Sequence, residues 1–250
     1  MRFDVITLFP EIFAPFLATG VTRRAYESKS VDVRLWDLRD FAQGNYRRVD
    51  DRPFGGGPGM VMMVEPLVLA LSSINAQRQD LAPVVLFSPV GQTLNHAGVE
   101  QWSASAGAVL ICGRYEGLDQ RFIDTHVDSQ ISLGDFVLSG GEIAAMALLD
   151  AVARLQPGVL NDEGSHQFDS FNPALDGLLD CPHYTRPDCW EGQPVPPVLL
   201  SGHHAQIERW RLKQALGRTW LRRPEVLERR ELSAEEARLL EEFKREQGKH

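Results

Sequence analysis

Few cysteines and no long apolar run are present in this chain of 250 residues. The 3 cysteines form no C-x-x-C pair and leave an odd one over, which argues against a disulfide framework and favours a reducing cytoplasm. No segment approaches the ~20 consecutive apolar residues of a membrane helix. Asp4, Pro10 and Glu11 interrupt the stretch where a signal peptide would have its apolar core. We therefore expect a soluble cytoplasmic protein without a membrane partner.

The common phosphate-binding loops are also missing, although glycine-rich segments are present. These segments are GGGPGM from Gly55, CGRYEG from Cys112 and ISLGDFVLSGGE from Ile131. A Walker loop needs Lys and Ser or Thr after its last glycine, and a Rossmann fingerprint needs G-x-G-x-x-G between a strand and its helix. Glycine lets the backbone approach a ligand closely. We expect backbone groups to bind an adenine edge or a zwitterion rather than a triphosphate.

The net charge of −8 argues against a nucleic-acid partner, but the charge is distributed unevenly. Residues 209–223 include 6 cations and no acid, with Trp210 and Trp220 between them. A second basic group, Arg47, Arg48 and Arg52, precedes the first glycine segment. A solvated helix face would also explain residues 209–223. The absence of any acid from that segment favours contact with an RNA backbone.

In the first part of the chain, segments with the pattern of a β-strand alternate with segments that have helical periodicity. The strand segments lie at 3–8, at 31–35 with a period of two, at 84–87 and at 108–112. The last two are short, continuous apolar runs, which are typical of strands covered on both faces. The sequence therefore predicts an α/β fold with a mainly parallel sheet.

Two helix starts carry a capping-box pattern. Ser139 is followed three residues later by Glu142, and Ser233 in the same way by Glu236. The first pattern predicts a helix that begins after Ser139 and ends before Pro157. The second predicts a final helix. A further helical pattern begins near 203, after a stretch rich in proline.

These patterns predict two domains joined by a linker. We expect an α/β cofactor-binding domain at 1–160, a mobile linker at 161–177 and a small, mostly helical domain at 178–250. The linker is polar, lacks periodicity and contains glycine and proline, which are the usual signs of a loop.

Several motifs in the same order resemble the bacterial tRNA (guanine-N1)-methyltransferases, which belong to the knotted SPOUT class. Besides the glycine segments, they are DSF at Asp169 and LLDCPHYTRP at Leu178. The resemblance runs from DVITLFPEIF at Asp4 to the run that begins with LLSGHHAQIERW at Leu199. It implies a C-terminal trefoil knot in the first domain and S-adenosylmethionine as methyl donor. The implied substrate is N1 of guanosine 37 in tRNA, the 3′ neighbour of the anticodon.

The resemblance also implies where the cofactor binds. The ends of neighbouring parallel strands are where open α/β sheets hold ligands, and the three knot loops meet there in this family. An ordinary loop before a helix is the alternative for Gly140 and Gly141 alone. The implied cofactor residues are Ser88, Pro89, Gly113, Tyr115, Leu133, Gly134, Asp135, Phe136, Val137, Leu138, Gly140 and Gly141.

Methylation of guanine N1 requires removal of a proton while negative charge builds toward O6. A carboxylate base and a cationic donor are the minimum groups for this step. The resemblance assigns the base to Asp169 and the cation to Arg154, in a homodimer whose composite sites combine the knot of one subunit with Asp169 of the other. Alternatively, Asp150 and Arg154 form a simple i,i+4 pair, and Asp169 is a turn residue.

Residues for tRNA binding also follow from the resemblance. They are Gly59, Arg114, Tyr115, Glu116, Ser170, His183 and Arg186. Glu116 could hold a guanine edge or the Mg²⁺ ion that the family's activity is expected to require. For the GGGPGM segment, the alternative is a flexible hairpin.

A protein-bound zinc ion is not expected. Cys181, His183, Cys189, His203 and His204 could supply ligands, but the two tight pairs typical of zinc sites are missing.

The chain departs from the family pattern at NPALD, 172–176, which is longer than the connection expected there. The departure leaves open whether Asp176 or Asp180 supports the base. Two other functions also remain open: a knotted methyltransferase that acts on another RNA, and a non-catalytic RNA-binding module.

Overall fold

A computed structural model of the chain describes residues 1–161 and 166–248. The strands are β1 Arg2–Thr7, β2 Asp32–Asp37, β3 Asp50–Asp51, β4 Val61–Met62, β5 Val84–Thr93, β6 Val109–Ile111, β7 Ser129–Ser132, β8 Cys189–Trp190 and β9 Gln193–Pro194. The α-helices are α1 Phe13–Ala18, α2 Arg23–Glu27, α3 Val64–Gln77, α4 His96–Ser103, α5 Gln120–His126, α6 Glu142–Arg154, α7 His204–Arg222, α8 Pro224–Glu228 and α9 Ala234–Gln247. Short 3-10 helices lie at Pro10–Ile12, Leu38–Phe41, Pro173–Leu175 and Pro197–Leu200. The chain divides into two compact units, Met1–Asn161 and Asp162–His250.

A 5-stranded parallel sheet in the order β2-β1-β6-β5-β7 forms the centre of the first unit. β1 runs parallel to β2 on one side and to β6 on the other, and β5 runs parallel to β6 and β7. The predicted α/β class with a mainly parallel sheet is therefore confirmed. β5 and β6 are neighbours, and their carboxyl ends lie side by side.

Alternate residues of the strands face two separate apolar layers. One layer joins the sheet to α1, α2, α4 and α6, and the other joins it to α3 and α5. Val5, Val85 and Leu110 belong to the first layer, whereas Ile6 and Ile111 belong to the second. Because both faces are covered, the apolar runs in the sequence are continuous rather than alternating with polar residues.

β5 is longer than the predicted strand at 84–87. It continues to Thr93, but its pairing with β7 is interrupted, since Phe87 and Gln92 both lie opposite Ile131. The residues at 88–91 therefore bulge out of the ladder at the carboxyl edge of the sheet.

The capping box predicted at Ser139 is wrong. α6 begins at Glu142 with Gly141 as its N-cap, and no side chain caps it. The Glu142 carboxylate makes tertiary contacts instead, described below. The helix ends at Arg154, just short of Pro157. The capping box at Ser233 is confirmed, because its side chain and that of Glu236 bond each other's backbone.

The second unit is built around the helices α7 and α9. Its apolar core contains Leu178, Leu216 and Leu239. Gly217 lies so close to Phe243 that a Cβ there would come within 2.3 Å of the ring. Within the described ranges, no helix is long and apolar enough to cross a bilayer.

The segment predicted as a linker is only partly described, since residues 162–165 lie outside the described ranges. From His166 onward it forms turns and the 3-10 helix Pro173–Leu175. Asn172 is buried, accepts a hydrogen bond from Ala174 N and donates one to His166 O. The NPALD residues thus form a short capped turn, and the mobility of the segment stays a prediction.

A fully buried carboxylate, Asp4, connects β1 to its surroundings. It accepts hydrogen bonds from Arg78 Nη1 at 2.6 Å, Arg2 Nη2 at 2.8 Å and Trp36 Nε1 at 2.9 Å. The Arg78 side chain is 1% exposed and also pairs with Asp80 at 3.0 Å. Buried ion pairs are costly to break because the remaining charge has no compensation.

We expect Asp4→Asn to lower the free energy of unfolding by ~3 kcal/mol or more, because the buried Arg78 loses its main counter-charge. The matched control is Asp80→Asn, which removes the half-exposed partner of the same arginine and should cost less than ~1 kcal/mol. Urea unfolding of both variants measures the difference. Equal losses would contradict the assigned role of Asp4.

Candidate active site

A cavity of about 500 Å³ opens at the carboxyl edge of β5, β6 and β7. Its walls come from three segments, at 88–90, 113–118 and 131–141. Ten of the predicted cofactor residues line it: Ser88, Pro89, Gly113, Tyr115, Leu133, Phe136, Val137, Leu138, Gly140 and Gly141. A cavity of this size is typical of small-molecule and cofactor sites.

Gly134 and Asp135 do not line the cavity. Gly134 has a φ of +148°, which favours glycine, and its carbonyl accepts hydrogen bonds from Phe136 N and Ser132 Oγ. Asp135 is exposed. Gly134 therefore shapes the turn that presents Phe136 to the cavity.

The three wall segments touch one another through glycine backbones. A Cβ on Gly141 would lie 2.8 Å from Cys112 Cα, and one on Gly91 would lie 2.5 Å from the backbone of Gln130. Gly141 N donates a hydrogen bond to Gly113 O at 3.0 Å. No side chain fits between these segments at Gly91 and Gly141, so the loops pack there through their backbones.

A second cavity of about 400 Å³ adjoins the first. It is lined by Leu8, Phe9, Gly59, Met60, Arg114, Tyr115, Glu116 and Ser139. Arg114, Tyr115, Glu116 and Ser139 also line the first cavity. The structure thus brings together four residues predicted to bind tRNA, Gly59 and the three at 114–116, and places three of them on a wall shared by both cavities.

The GGGPGM segment connects β3 to β4, which form an antiparallel hairpin. One end of it is tied to the CGRYEG segment, since Glu116 N donates to Met60 O and Met62 N donates to Gly117 O. A Cβ on Gly59 would lie 2.3 Å from Glu116 Oε1. Gly59 is therefore fixed against the shared wall, while Phe54 at the other end is 98% exposed.

Arg114 is held by a set of contacts that the sequence did not predict. Its Nε lies 3.1 Å from Glu142 Oε1 and 3.0 Å from Oε2. Its Nη1 donates to Ser139 O, and its guanidinium lies 4.6 Å from the centre of the Phe9 ring. Thr7 Oγ1 donates to Glu142 Oε1 at 2.9 Å. The partners are distant in sequence, and the capping-box pattern had assigned Glu142 to a local role.

The two predicted catalytic residues lie in different units. Arg154 is the last residue of α6 in the first unit, and Asp169 lies in a turn of the second. Both side chains are partly buried. Asp169 N donates to His166 O, as expected for a turn residue. Their catalytic roles stay predictions.

The remaining predicted RNA residues belong to the second unit. Ser170 Oγ accepts a hydrogen bond from Asp180 N at 3.0 Å, and Asp180 Oδ2 lies 2.6 Å from His183 Nε2. Asp180 therefore connects the DSF motif to the CPHYTRP motif, whereas Asp176 pairs with Arg230. Arg186 is exposed, as a residue that contacts RNA must be.

Asp180, Cys181 and His183 are close enough to share a metal ion, with ligand atoms within 4.8 Å of one another. Burial is the main cause that raises the pKa of the Cys181 thiol, and the Asp180 carboxylate raises it further. Zinc prefers four ligands and thiolate sulfur. Cys189 and His203 are not members of this group, and three donors of this kind give little support for a structural zinc site.

The basic segment at 209–223 coincides with α7, and part of its charge is used inside the unit. Arg209 makes two hydrogen bonds of 2.9 Å to Glu242, and Lys213 binds Glu246 at 2.7 and 2.9 Å, both on α9. Arg223 pairs with Glu225. The exposed cations that make no ion pair with a described residue are Arg211, Arg218 and Arg222.

Comparison with known proteins gives a consistent result along nearly the whole chain. Residues 1–229 match the family described as tRNA (Guanine-1)-methyltransferase TrmD. A Polaromonas sp. protein named tRNA (guanine-N(1)-)-methyltransferase is 76% identical over 234 residues, which cover 92% of this chain and 90% of that protein. The Albidiferax ferrireducens protein of the same name is 75% identical over 228 residues, 91% and 92% of the two chains. A Salmonella newport protein of that name is 54% identical over 246 residues, 98% and 95% of the two chains. The resemblance inferred from the motifs is confirmed.

We expect Gly141→Ala to destabilise the first unit by ~1 to 3 kcal/mol, because the added methyl group would overlap the backbone at Cys112 and force the loops apart. The control is Gly98→Ala in α4, where the nearest atoms would lie at 3.6 Å and alanine favours the helix. Thermal unfolding of both variants is the measurement. A Gly141→Ala protein as stable as the Gly98→Ala protein would show that the loops do not need this close contact.

Proposed function

This chain belongs to the tRNA (guanine-1)-methyltransferase family, and from that premise we propose that it transfers a methyl group from S-adenosylmethionine to N1 of guanosine 37 in tRNA. It is an enzyme of tRNA modification, and we place its work in the reducing cytoplasm. The observation that carries the proposal is the pair of adjoining cavities that share Arg114, Tyr115 and Glu116. One cavity suits the methyl donor and the other suits the base that receives the methyl group.

The residues of the first cavity fit S-adenosylmethionine. Glycine backbones at 140–141 and 113 leave peptide groups exposed to an adenine edge, and Leu133 and Leu138 add apolar surface. When bound, the cofactor supplies a methyl group on a positively charged sulfur. We also propose that the segments at 88–91, 113–118 and 131–141 form the trefoil knot of the family, which the close backbone contacts of Gly91 and Gly141 support.

The second cavity fits a guanine base. Glu116 has an exposed carboxylate on the shared wall, which can accept hydrogen bonds from the N–H groups of a guanine edge. A carboxylate also suits Mg²⁺, which usually takes one or two carboxylates together with substrate oxygens. Any Mg²⁺ ion here would therefore be shared with the RNA. Tyr115 supplies an aromatic surface on which a base can stack.

Catalysis requires a base for the N1 proton and a positive charge near O6. We assign these roles to Asp169 and Arg154. The resemblance implies a homodimer in which Asp169 of the partner subunit completes each site, and the proposal includes it. Ser170, His183 and Arg186, in the same unit as Asp169, are assigned to tRNA binding.

We expect Asp169→Asn to lower kcat by ~100-fold or more, the usual contribution of a general base, while the Kd values for S-adenosylmethionine and tRNA stay within about twofold of wild type. The assay uses tRNA transcripts with guanosine or adenosine at position 37, and only the first should be methylated. Asp176→Asn, a similar change at the end of the nearby 3-10 helix, should retain activity. Full activity of Asp169→Asn would exclude the assigned base. Equal methylation of both transcripts would favour a methyltransferase with another target.

The exposed and the paired cations of α7 should differ in their effect on tRNA binding. We expect Arg218→Gln with Arg222→Gln to weaken tRNA binding and to reduce the slope of log K against log salt by up to about 2, since each phosphate contact contributes ~0.9. Arg209→Gln with Lys213→Gln should leave the slope nearly unchanged, because these cations bind Glu242 and Glu246. Filter binding at several salt concentrations tests both. A larger loss of slope in the Arg209 and Lys213 variant than in the Arg218 and Arg222 variant would show that RNA displaces Glu242 and Glu246 from their cations.

A further inference from the structure

Glu142 is a buried carboxylate that contacts the wall of the cofactor cavity. We infer that it prevents the cavity from discriminating against a cationic sulfonium donor, relative to the neutral thioether product, by cancelling the charge of Arg114. The inference rests on the proposed function, because it assumes that the first cavity holds S-adenosylmethionine. It adds a role for a residue that does not line the cavity.

The carboxylate lies directly behind a glycine of the cavity wall. Glu142 is 1% exposed, and a Cβ added to Gly140 would lie 2.5 Å from Glu142 Oε2 and 2.2 Å from Arg114 Nε. Gly140 itself lines the cavity. The ion pair therefore packs directly against Gly140, and its Arg114 member also lines the cavity.

Glu142 has acceptor capacity that its neighbours do not use. Thr7 and Arg114 both donate to Oε1, while Oε2 accepts no hydrogen bond from any residue that the structure describes. Buried acceptors are usually satisfied. Oε2 lies 3.0 Å from Arg114 Nε, so its negative charge acts on the arginine without a well-aligned bond.

The charge balance of the wall depends on this carboxylate. Among the described residues that line the first cavity, the charged ones are Arg114 and Glu116. Arg114 carries a permanent positive charge, which would repel a sulfonium ion. Glu116 is exposed, so water screens its carboxylate. Glu142 is shielded from water, where the interaction between charges is stronger.

A nearby thiol supports this electrostatic description. Burial raises the pKa of the Cys112 thiol, the Glu142 carboxylate raises it further, and Arg114 lowers it. Cys112 is fully buried at the end of β6, next to the glycine contact with Gly141. Glu142 and Arg114 therefore both act on Cys112, the residue that precedes Gly113 of the cavity wall.

The geometry also fixes the orientation of the pair. Thr7 Oγ1 accepts a hydrogen bond from Phe9 N and donates to Glu142, and Phe9 packs its ring against the Arg114 guanidinium. Ser139 O accepts a further bond from Arg114 Nη1. Arg114 thus reaches the shared wall in one position, and its charge is balanced at that position.

The test is the ratio of two dissociation constants, Kd for S-adenosylmethionine divided by Kd for S-adenosylhomocysteine, measured by calorimetry. The two ligands differ by one methyl group and one positive charge. In Glu142→Gln the side chain keeps its size and can still accept from Thr7, but Arg114 loses its counter-charge. We expect the ratio to rise about tenfold, as for a charge pair at an effective dielectric constant of ~20.

Three further variants separate charge from packing. Thr7→Val removes a hydrogen bond to Glu142 but keeps the charge, so the ratio should stay at the wild-type value. Glu116→Gln removes the exposed carboxylate of the same wall and should change the ratio by less than about threefold, because water screens it. Glu142→Gln combined with Arg114→Gln makes both partners neutral and should restore the wild-type ratio.

The outcomes distinguish this inference from the proposed function. If the wild-type protein binds neither ligand, the proposed function fails. If it binds both and the ratio in Glu142→Gln is unchanged, or rises equally in Thr7→Val, the inference is wrong. If Glu142→Gln does not fold, the double variant decides: recovery of folding with the wild-type ratio supports the inference. Failure of the double variant to fold makes Glu142 a purely structural residue and overturns it.

Discussion

The site depends on one steric constraint, which is that three chain segments touch through backbone atoms at the carboxyl edge of the parallel sheet. Gly141 against Cys112 and Gly91 against Gln130 leave no space for a Cβ atom. At these glycines the peptide groups of the loops lie beside the side chains that line the cavity. The cavity therefore offers N–H and C=O groups in fixed positions, which suits a ligand bound by its polar edges and a cationic sulfur near its centre. The sheet supplies the rigidity that holds these loops, because its strands are buried on both faces.

Two buried acid–arginine pairs occur in the first unit, and they serve different ends. Both carboxylate oxygens of Asp4 accept hydrogen bonds, from Arg78, Arg2 and Trp36, and the pair acts as part of the core. Glu142 holds Arg114 but leaves one oxygen without a hydrogen bond, next to a glycine of the cavity wall. A fully satisfied pair contributes mainly to stability, whereas a pair with unused acceptor capacity at a cavity can act on a ligand. The same residue types thus have a structural role at one edge of the sheet and a role in the site at the other.

The sequence was sufficient for four of the five strands of the sheet, all but β7, and for a cavity at its carboxyl edge, but not for the contacts around that cavity. Continuous apolar runs predict buried parallel strands for a physical reason, and the carboxyl ends of adjacent strands meet wherever such a sheet forms. The capping box at Ser233 was predictable because both partners are local. The same pattern failed at Ser139, because Glu142 binds Thr7, which is 135 residues away in the chain. Pairing at such a distance leaves no periodic signal, and neither the proposed knot nor the proposed composite site has one.

The acidic net charge and the affinity for RNA are compatible because electrostatic interactions in solution are short-ranged. The net charge of −8 describes the whole chain, but screening limits exposed charges to about 8–10 Å at physiological salt. An RNA phosphate near α7 is therefore affected by the charges of that helix and its immediate neighbours. Glu242 and Glu246 on α9 neutralise Arg209 and Lys213, while Arg211, Arg218 and Arg222 remain exposed on the helix without an ion pair to a described residue. The basic surface is consequently smaller than the sequence suggests. It follows that affinity for RNA should depend on the local arrangement of a few cations, and only weakly on the excess of acidic residues elsewhere.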